Sequence, residues 1–381
     1  MSVYVPVEHG LDPTLVLARP RAPMSAFPMN APERAYFHRA RNAIYHLFRH
    51  LGARRRLTAL VPDYHNGNEV QAIRAAGAAV RFYRIGRDLE VDLEHLVRLC
   101  RSTRAEVLFA IHYFGWPQPI KELTAVADAH DMVLVEDCAL SLLSGAGGRP
   151  LGTFGQYATF CLYKTLPVPN GGVLVANGVD LGGLAGLALE PCRVATRAGR
   201  TLELMLEWLR GRAYVPGVCG FALKQAAGRV MRRLRIRRVP FGDIGFDLDS
   251  VNVAVAPLSL ALLERFDYES IRERRRANYQ RLRDRLAGRV AMLPRPLEDG
   301  TCPLIFPFIV PDKPGAAAAL QARRVSAGEF WNVGDADTRR PEHADAWYLR
   351  EHLIELPVHQ DITRDQIDHM ADQVLRLGLH F

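Results

Sequence analysis

The 381-residue chain has no apolar run of about eighteen residues or more, so no segment reads as a membrane-spanning helix. Its opening residues, MSVYVPVEHGLDPTLVLARP, lack a basic start followed by an apolar core, and no secretory signal is expected. Cysteine is sparse. Cys100, Cys138, Cys161, Cys192, Cys219 and Cys302 show no metal-type spacing, so buried free thiols in a reducing cytosol are expected, and no metal site. The glycine-rich stretch 144–152 lacks GxGxxG spacing and precedes no helix, so it reads as a turn. Internal repeats and low-complexity tracts are missing. Lysine is scarce too: four of the 49 basic residues are lysine (121, 164, 224 and 313), which leaves 45 arginines.

What is present fits a globular protein. The chain is 49% hydrophobic and 24% charged, and long enough for one large α/β domain plus a smaller one. Its net charge of +8 is unevenly placed. Between positions 193 and 238 twelve basic residues meet two acids, Glu203 and Glu207, so that segment carries about +10 and the remainder about −2. The basicity belongs to one insertion, and no nucleic-acid surface is expected.

Residues 1–36 read as a proline-rich, irregular arm. Helical spacing at 38–52 is followed by apolar runs at 57–61, 79–83, 107–112 and 132–135, with helices near 68–76, 92–100 and 119–130 between them. Strands alternating with helices predict a mainly parallel central sheet with helices on both faces. Further strands are expected at 158–162 and 172–175. The basic stretch 193–239 interrupts the pattern, a long charged helix covers about 257–287, and 302–381 reads as a smaller α+β lobe. That lobe includes a strand at 304–310 and a last helix boxed by Thr363 and Gln366. The expected division is an arm (1–36), a large α/β domain (37–250), and a linking helix with a smaller C-terminal domain (251–381).

Arginine keeps its proton near neutral pH, whereas a desolvated lysine can lose it and form a Schiff base. In a chain that uses arginine almost everywhere, a lysine in an apolar setting needs a reason. Lys121 begins an amphipathic helix, Lys224 lies in the basic segment, and Lys313 lies in the turn Asp312-Lys-Pro-Gly. Lys164 alone leaves a strand into a Pro/Gly-rich loop; the plainer reading is an ordinary loop lysine. Asp137 ends the run Met-Val-Leu-Val-Glu-Asp, where an aspartate pairs with a protonated pyridine nitrogen or merely caps a helix. Glu136 beside it points to the other side of the strand. Arg41 and Asn42 open a helix, whose N-terminus suits a phosphate.

The ordered set of motifs resembles the DegT/DnrJ/StrS family of sugar aminotransferases, over about 37–178 and 240–378. Its elements are Val61-Pro-Asp-Tyr-His65, Ala76-Gly77, Ala110-Ile-His-Tyr-Phe-Gly115, Val135-Glu-Asp-Cys-Ala139, Pro150-Leu-Gly-Thr-Phe-Gly155, Phe160-Cys-Leu-Tyr163, Lys164 ahead of Gly171-Gly172, and Leu356-Pro-Val-His-Gln-Asp-Ile-Thr363. The resemblance implies the type I fold of pyridoxal 5'-phosphate (PLP) enzymes and a homodimer, in the cytoplasm. Lys164 would then carry the cofactor and move a proton, and Asp137 would pair with its ring nitrogen. Arg41, Asn42 and Cys161 would stand at the phosphate, and Tyr64 or His65 nearest the ring face. Asn252 would reach the phosphate of a neighbouring subunit. The implied substrates are an amino-acid donor such as glutamate and a nucleotide-linked keto sugar.

This chain departs from the family pattern at Leu140, where Gln or His is usual, and at Cys161, where serine is usual. Asn170 replaces a glutamate, and the approach to Lys164 is two residues shorter. These departures keep two rivals open: another PLP sugar reaction such as dehydration, and an inactive regulatory relative. Residues 222–238, with apolar positions among arginines, read as a weak membrane-surface contact or as a solvated or dimer-contacting helix.

Overall fold

A computed structural model describes residues 3–21, 26–233, 245–329 and 331–378, with the backbone alone for 225–233. After a one-turn helix α1 (Pro13–Leu17), the chain alternates β1 (Arg34–Phe37), α2 (Ala40–Leu51), β2 (Thr58–Pro62), α3 (Asn68–Ala75), β3 (Ala79–Tyr83), α4 (Leu93–Ser102), β4 (Val107–Ile111), α5 (Ile120–Ala129) and β5 (Val133–Asp137). A small hairpin, β6 (Gly145–Ala146) and β7 (Arg149–Pro150), leads to β8 (Tyr157–Cys161) and β9 (Gly172–Ala176). Two helices follow, α6 (Val194–Arg212) and α7 (Tyr214–Arg233), then α8 (Pro257–Leu263) and α9 (Tyr268–Leu286). The C-terminal part holds β10 (Ala291–Met292), β11 (Ile305–Ile309), α10 (Lys313–Ala322), α11 (Ala344–His352), β12 (Leu353–Pro357) and α12 (Arg364–Leu375).

Seven strands form one sheet in the order β1-β9-β8-β5-β4-β2-β3. Neighbours from β3 through β8 pair in parallel, and β9 runs antiparallel to both β8 and β1. Strands β4 and β8 are buried at every position and β5 at all but its first, Val133, as a parallel sheet covered on both faces requires. The chain steps from β2 to β3 on one side and to β4 on the other. The carboxyl ends of β2, β4 and β5 therefore border a topological switch point, where ligands of such sheets collect. The three-stranded antiparallel sheet β10-β11-β12 is a second sheet, yet one continuous apolar cluster runs from Phe37 through Phe109 to Ile354 and Val374.

Two expectations are corrected here. The arm of 1–36 is not wholly irregular, because α1 falls inside it and β1 begins at Arg34 as an edge strand of the main sheet. Its four residues alternate half-buried and buried, too short a pattern to stand out in sequence. The long helix expected over 257–287 is two helices. Asp267 starts the second by accepting the Ser270 amide at 3.0 Å, so the chain turns at 264–267. The capping box at Thr363 and Gln366 is present in full.

Gly172 shows how closely α2 sits on the sheet. A Cβ there would lie 2.3 Å from the Arg39 carbonyl carbon and 2.4 Å from the Ala40 nitrogen, both backbone atoms. Gly172→Ala is therefore expected to destabilise the fold by roughly 2–3 kcal/mol, because a packed core resists even one added methyl. Urea unfolding checks this, and an unchanged midpoint would contradict the close approach.

Candidate active site

Asp137 is the last residue of β5 and is buried at 5% exposure. Its Oδ1 accepts the Ala139 amide at 2.9 Å. Burial pushes its carboxyl up to about 7, and Glu69 adds to the rise; the Ala139 amide and the Lys164 ammonium act against it. A carboxyl in that state lacks sufficient positive charge around it. Thr159 of β8 lies opposite it in the strand register, and its buried hydroxyl oxygen has no hydrogen-bond partner.

Lys164 ends the single 3-10 turn Leu162–Lys164 that leaves β8. The turn is fixed from the C-terminal half of the chain. The carbonyl of Thr165 accepts from the Arg275 guanidinium and from the Gln360 amide, each at 3.1 Å. Arg275 is buried at 1% exposure and also donates to the carbonyls of Pro303 and Leu304. The Lys164 ammonium acts on two carboxyls, those of Asp137 and Glu355.

Glu136 fulfils the expectation that it faces away from Asp137. Its two oxygens accept His112 Nε2 and the amides of Gly152, Phe154 and Gly155 at 2.7–3.0 Å. Burial by itself raises this carboxyl, but His112 and the amides outweigh it and hold it below the ordinary carboxylate range. His112, Glu136 and Cys138 stand close enough to suggest a metal trio. The Glu136 oxygens are instead spent on fixing the loop 152–155.

At the start of α2, Ala40 packs with Ala139 and Cys161 in a small buried cluster against Tyr163. These small side chains sit beside a helix N-terminus whose N-cap residue, Arg39, makes no side-chain cap. Burial pushes the Tyr163 phenol up, Cys161 adds to this, and the guanidiniums of Arg41 and Arg39 act against it. The Cys161 thiol is also raised by burial, with the Lys164 charge opposing. Arg39 and Tyr163 thus join this corner, and neither stood out in sequence.

The residues expected at the phosphate make contacts within the chain. The amide of Asn42 donates to the carbonyls of Ser250 and Val251 at 2.7 and 3.0 Å, so the side chain ties α2 to the 250–251 turn. Arg41 donates to Asn68 at 3.0 Å and to the carbonyl of Gly245. A helix turns by about 100° per residue, so adjacent residues at its start face different neighbours. Asn252 is exposed beside this turn.

Tyr64 and His65 follow β2 and are both buried. The Tyr64 hydroxyl and both ring nitrogens of His65 have no hydrogen-bond partner. Tyr64 stands in a box of aromatic rings, 4.8 Å from Trp331 and 5.6 Å from Tyr113 between centroids. Trp331 and Phe114, which also touch at 6.0 Å, both hold positive φ (62° and 53°), a strained conformation for aromatic residues. His65 stacks on Phe82, and burial lowers its ring to about 3.

Charged groups of the C-terminal part close this wall. Arg350, 2% exposed, donates to the carbonyls of Asp63, His65, Trp331 and Val333 at 2.9–3.0 Å. Lys313 does not sit in an open turn as its sequence suggested. It is 2% exposed, its Nζ donates to the carbonyl of Arg350, and burial lowers it. Glu355 on β12 is buried with one oxygen unpartnered; burial pushes it up to about 8, against the pull of Lys313 and Lys164. Arg350→Ala would leave the buried carbonyls of Asp63, His65 and Trp331 unpaired, so a loss of about 3–5 kcal/mol in urea unfolding is expected.

Unpartnered polar atoms of Tyr64, His65 and Thr159 thus stand after β2 and on β8, and the underpaired carboxyl of Asp137 lies at the end of β5. Other proteins resemble the chain in sequence or in fold. A GDP-perosamine synthase of Vibrio cholerae is 31% identical over 121 residues, 31% of this chain and 33% of that protein. A dTDP-4-dehydro-2,6-dideoxy-D-glucose 3-dehydratase of Saccharopolyspora spinosa is 26% identical over 298 residues, 73% of this chain and 60% of that protein. The chain spans about a third of the length of the first curated relatives it matches. Among solved structures, PseC of Helicobacter pylori, an aminotransferase of pseudoaminic acid biosynthesis, superposes with a TM-score of 0.66 at 14% identity, covering 98% of this chain and 99% of its own, and so shares the fold. Residues 39–185, which hold both Asp137 and Lys164, match the model of the DegT/DnrJ/EryC1/StrS aminotransferase family.

Proposed function

We propose that the chain is a PLP-dependent aminotransferase that moves an amino group from an amino acid such as glutamate to a nucleotide-linked keto sugar. The observation that carries this reading is the buried, underpaired carboxyl of Asp137 within electrostatic reach of Lys164, at the carboxyl ends of adjacent parallel strands. When bound, PLP supplies an aldehyde that condenses with amines and a ring that accepts electrons.

The residues present fit that group. Asp137 would pair with a protonated ring nitrogen, which supplies the positive charge its surroundings lack. Lys164 would hold the cofactor and, once displaced by the donor amine, carry the proton between donor carbon and cofactor. The start of α2, with Arg41 and Asn42 and with Arg39 near Tyr163, would take the phosphate, with Cys161 beside it. The unpartnered Tyr64 hydroxyl would meet the bound ring or substrate. A second subunit is proposed to complete the site through Asn252, as a homodimer.

A specific observation favours one rival. The Saccharopolyspora relative that covers 73% of this chain is a dehydratase. The two readings separate in one assay. Purified protein is mixed with PLP, scanned for visible absorbance, and given glutamate and then a nucleotide-linked keto sugar. Aminotransfer predicts that glutamate bleaches the visible band and that the aminated sugar forms only with donor present. A nitrogen-free deoxy sugar, formed as glutamate is converted to its keto acid with release of ammonia, would instead establish dehydration, and a protein that never takes up PLP would leave only a regulatory role.

A further inference from the structure

The basic insertion forms a helical pair whose faces are sharply divided. Helix α6 lies on the N-terminal arm: the Leu11 amide donates to the Leu204 carbonyl at 3.0 Å, and Arg200 pairs with Glu8 at 2.9 Å. Helix α7 packs on α6 by its glycines. A Cβ at Gly217 would lie 2.3 Å from the Arg210 Cα, and one at Gly220 would lie 2.5 Å from a Leu206 methyl. Lys224 adds an ion pair to Glu203 at 2.8 Å. These contacts fix which side of α7 faces inward.

The opposite side is apolar and open to solvent. Val215, Val218 and Leu223 are 69%, 40% and 73% exposed, and Cys219 and Ala222 are exposed between them. Their spacing of three and four residues places them on one stripe. The segment is cationic in sequence: from Trp208 to Gly242 it holds nine arginines and lysines and no acid. Among the described residues no helix is long and apolar enough to cross a membrane. An apolar stripe in a purely cationic segment matches acyl chains beneath anionic headgroups. A soluble polyanion would use the charge and leave the stripe in water.

We propose that the outer face of α7, from Val215 to Leu223, docks on an anionic lipid surface. This moves the expected membrane contact of 222–238 about two turns toward the N-terminus; its residues 234–238 lie outside the described ones. The proposal does not depend on the cofactor reading.

Cys219 makes the wild-type chain its own reporter, because the other five cysteines are buried. A polarity-sensitive fluorophore on that thiol is expected to shift to the blue with phosphatidylcholine vesicles containing phosphatidylglycerol. It should not shift with phosphatidylcholine alone, and high salt should reverse the change. Joint replacement Val215→Asp, Val218→Asp and Leu223→Asp should lower the fraction sedimenting with those vesicles at least about tenfold. Its thermal midpoint should stay unchanged, since the three side chains are exposed. The proposal is overturned if no shift occurs with phosphatidylglycerol, if duplex DNA produces the shift instead, or if the triple replacement sediments like wild type. It is equally overturned if that replacement lowers the molecular mass by light scattering, since the stripe would then be a contact between copies.

Discussion

Lys164→Ala is expected to eliminate turnover, by at least about 10³-fold, and to abolish the visible absorbance of protein mixed with PLP. The size follows from two losses. Positioned proton transfer contributes roughly 10²–10⁴-fold, and the covalent hold on the cofactor disappears as well. The fold should survive, because the side chain is only half-buried and its loop is held by Arg275 and Gln360 through the Thr165 carbonyl. Lys164→Arg sharpens the test, since it keeps the charge beside Asp137 and Glu355 but cannot give up a proton. Partial activity in the arginine variant would contradict the role assigned to the amine.

The second large effect concerns Asp137. Asp137→Asn should cost roughly 10²–10³-fold in turnover, the usual loss when one fixed charge at a reacting centre is removed. The same substitution has a signature in stability. The carboxyl holds its proton to about 7 in the fold against 3.8 as a free side chain. The folded state therefore binds the proton more tightly, and the neutral form stabilises it. That contribution is complete below 3.8 and lost as pH rises through about 7. Cofactor-free wild-type protein should lose about 3–4 kcal/mol more stability than Asp137→Asn between about pH 4 and pH 8. Bound cofactor should shrink the difference, because a cationic ring nitrogen makes the carboxylate favourable. Parallel pH profiles of the two proteins would contradict the burial argument.

Much of the frame was legible in sequence because it rests on local patterns. Apolar runs alternating with helical periods gave the parallel sheet, and Asp137 and Lys164 stand where strands of such a sheet end. The other side of the site was not legible. Arg350 meets His65 across 285 residues, and Arg275 meets Thr165 across 110. Nothing local to Arg350, Glu355 or Lys313 distinguishes a buried ion from a surface one. Lys313 was misplaced for that reason: the turn signal Asp312-Lys-Pro-Gly is real as a helix start, yet the fold carries its side chain inward. The tie from Asn42 to the turn at 250–251 was equally invisible, since no periodicity links that turn to α2. β1 escaped notice because four residues carry too little alternation to be seen.

Lys313 makes the central claim sharply testable. Like Lys164 it acts on Glu355, here from a fully buried position, and it is the natural competitor for an aldehyde. Borohydride reduction of protein incubated with PLP, followed by peptide mass mapping, locks the cofactor onto whichever amine holds it. The account predicts a single pyridoxyl group on Lys164. A label on Lys313, or no label at all, would contradict it.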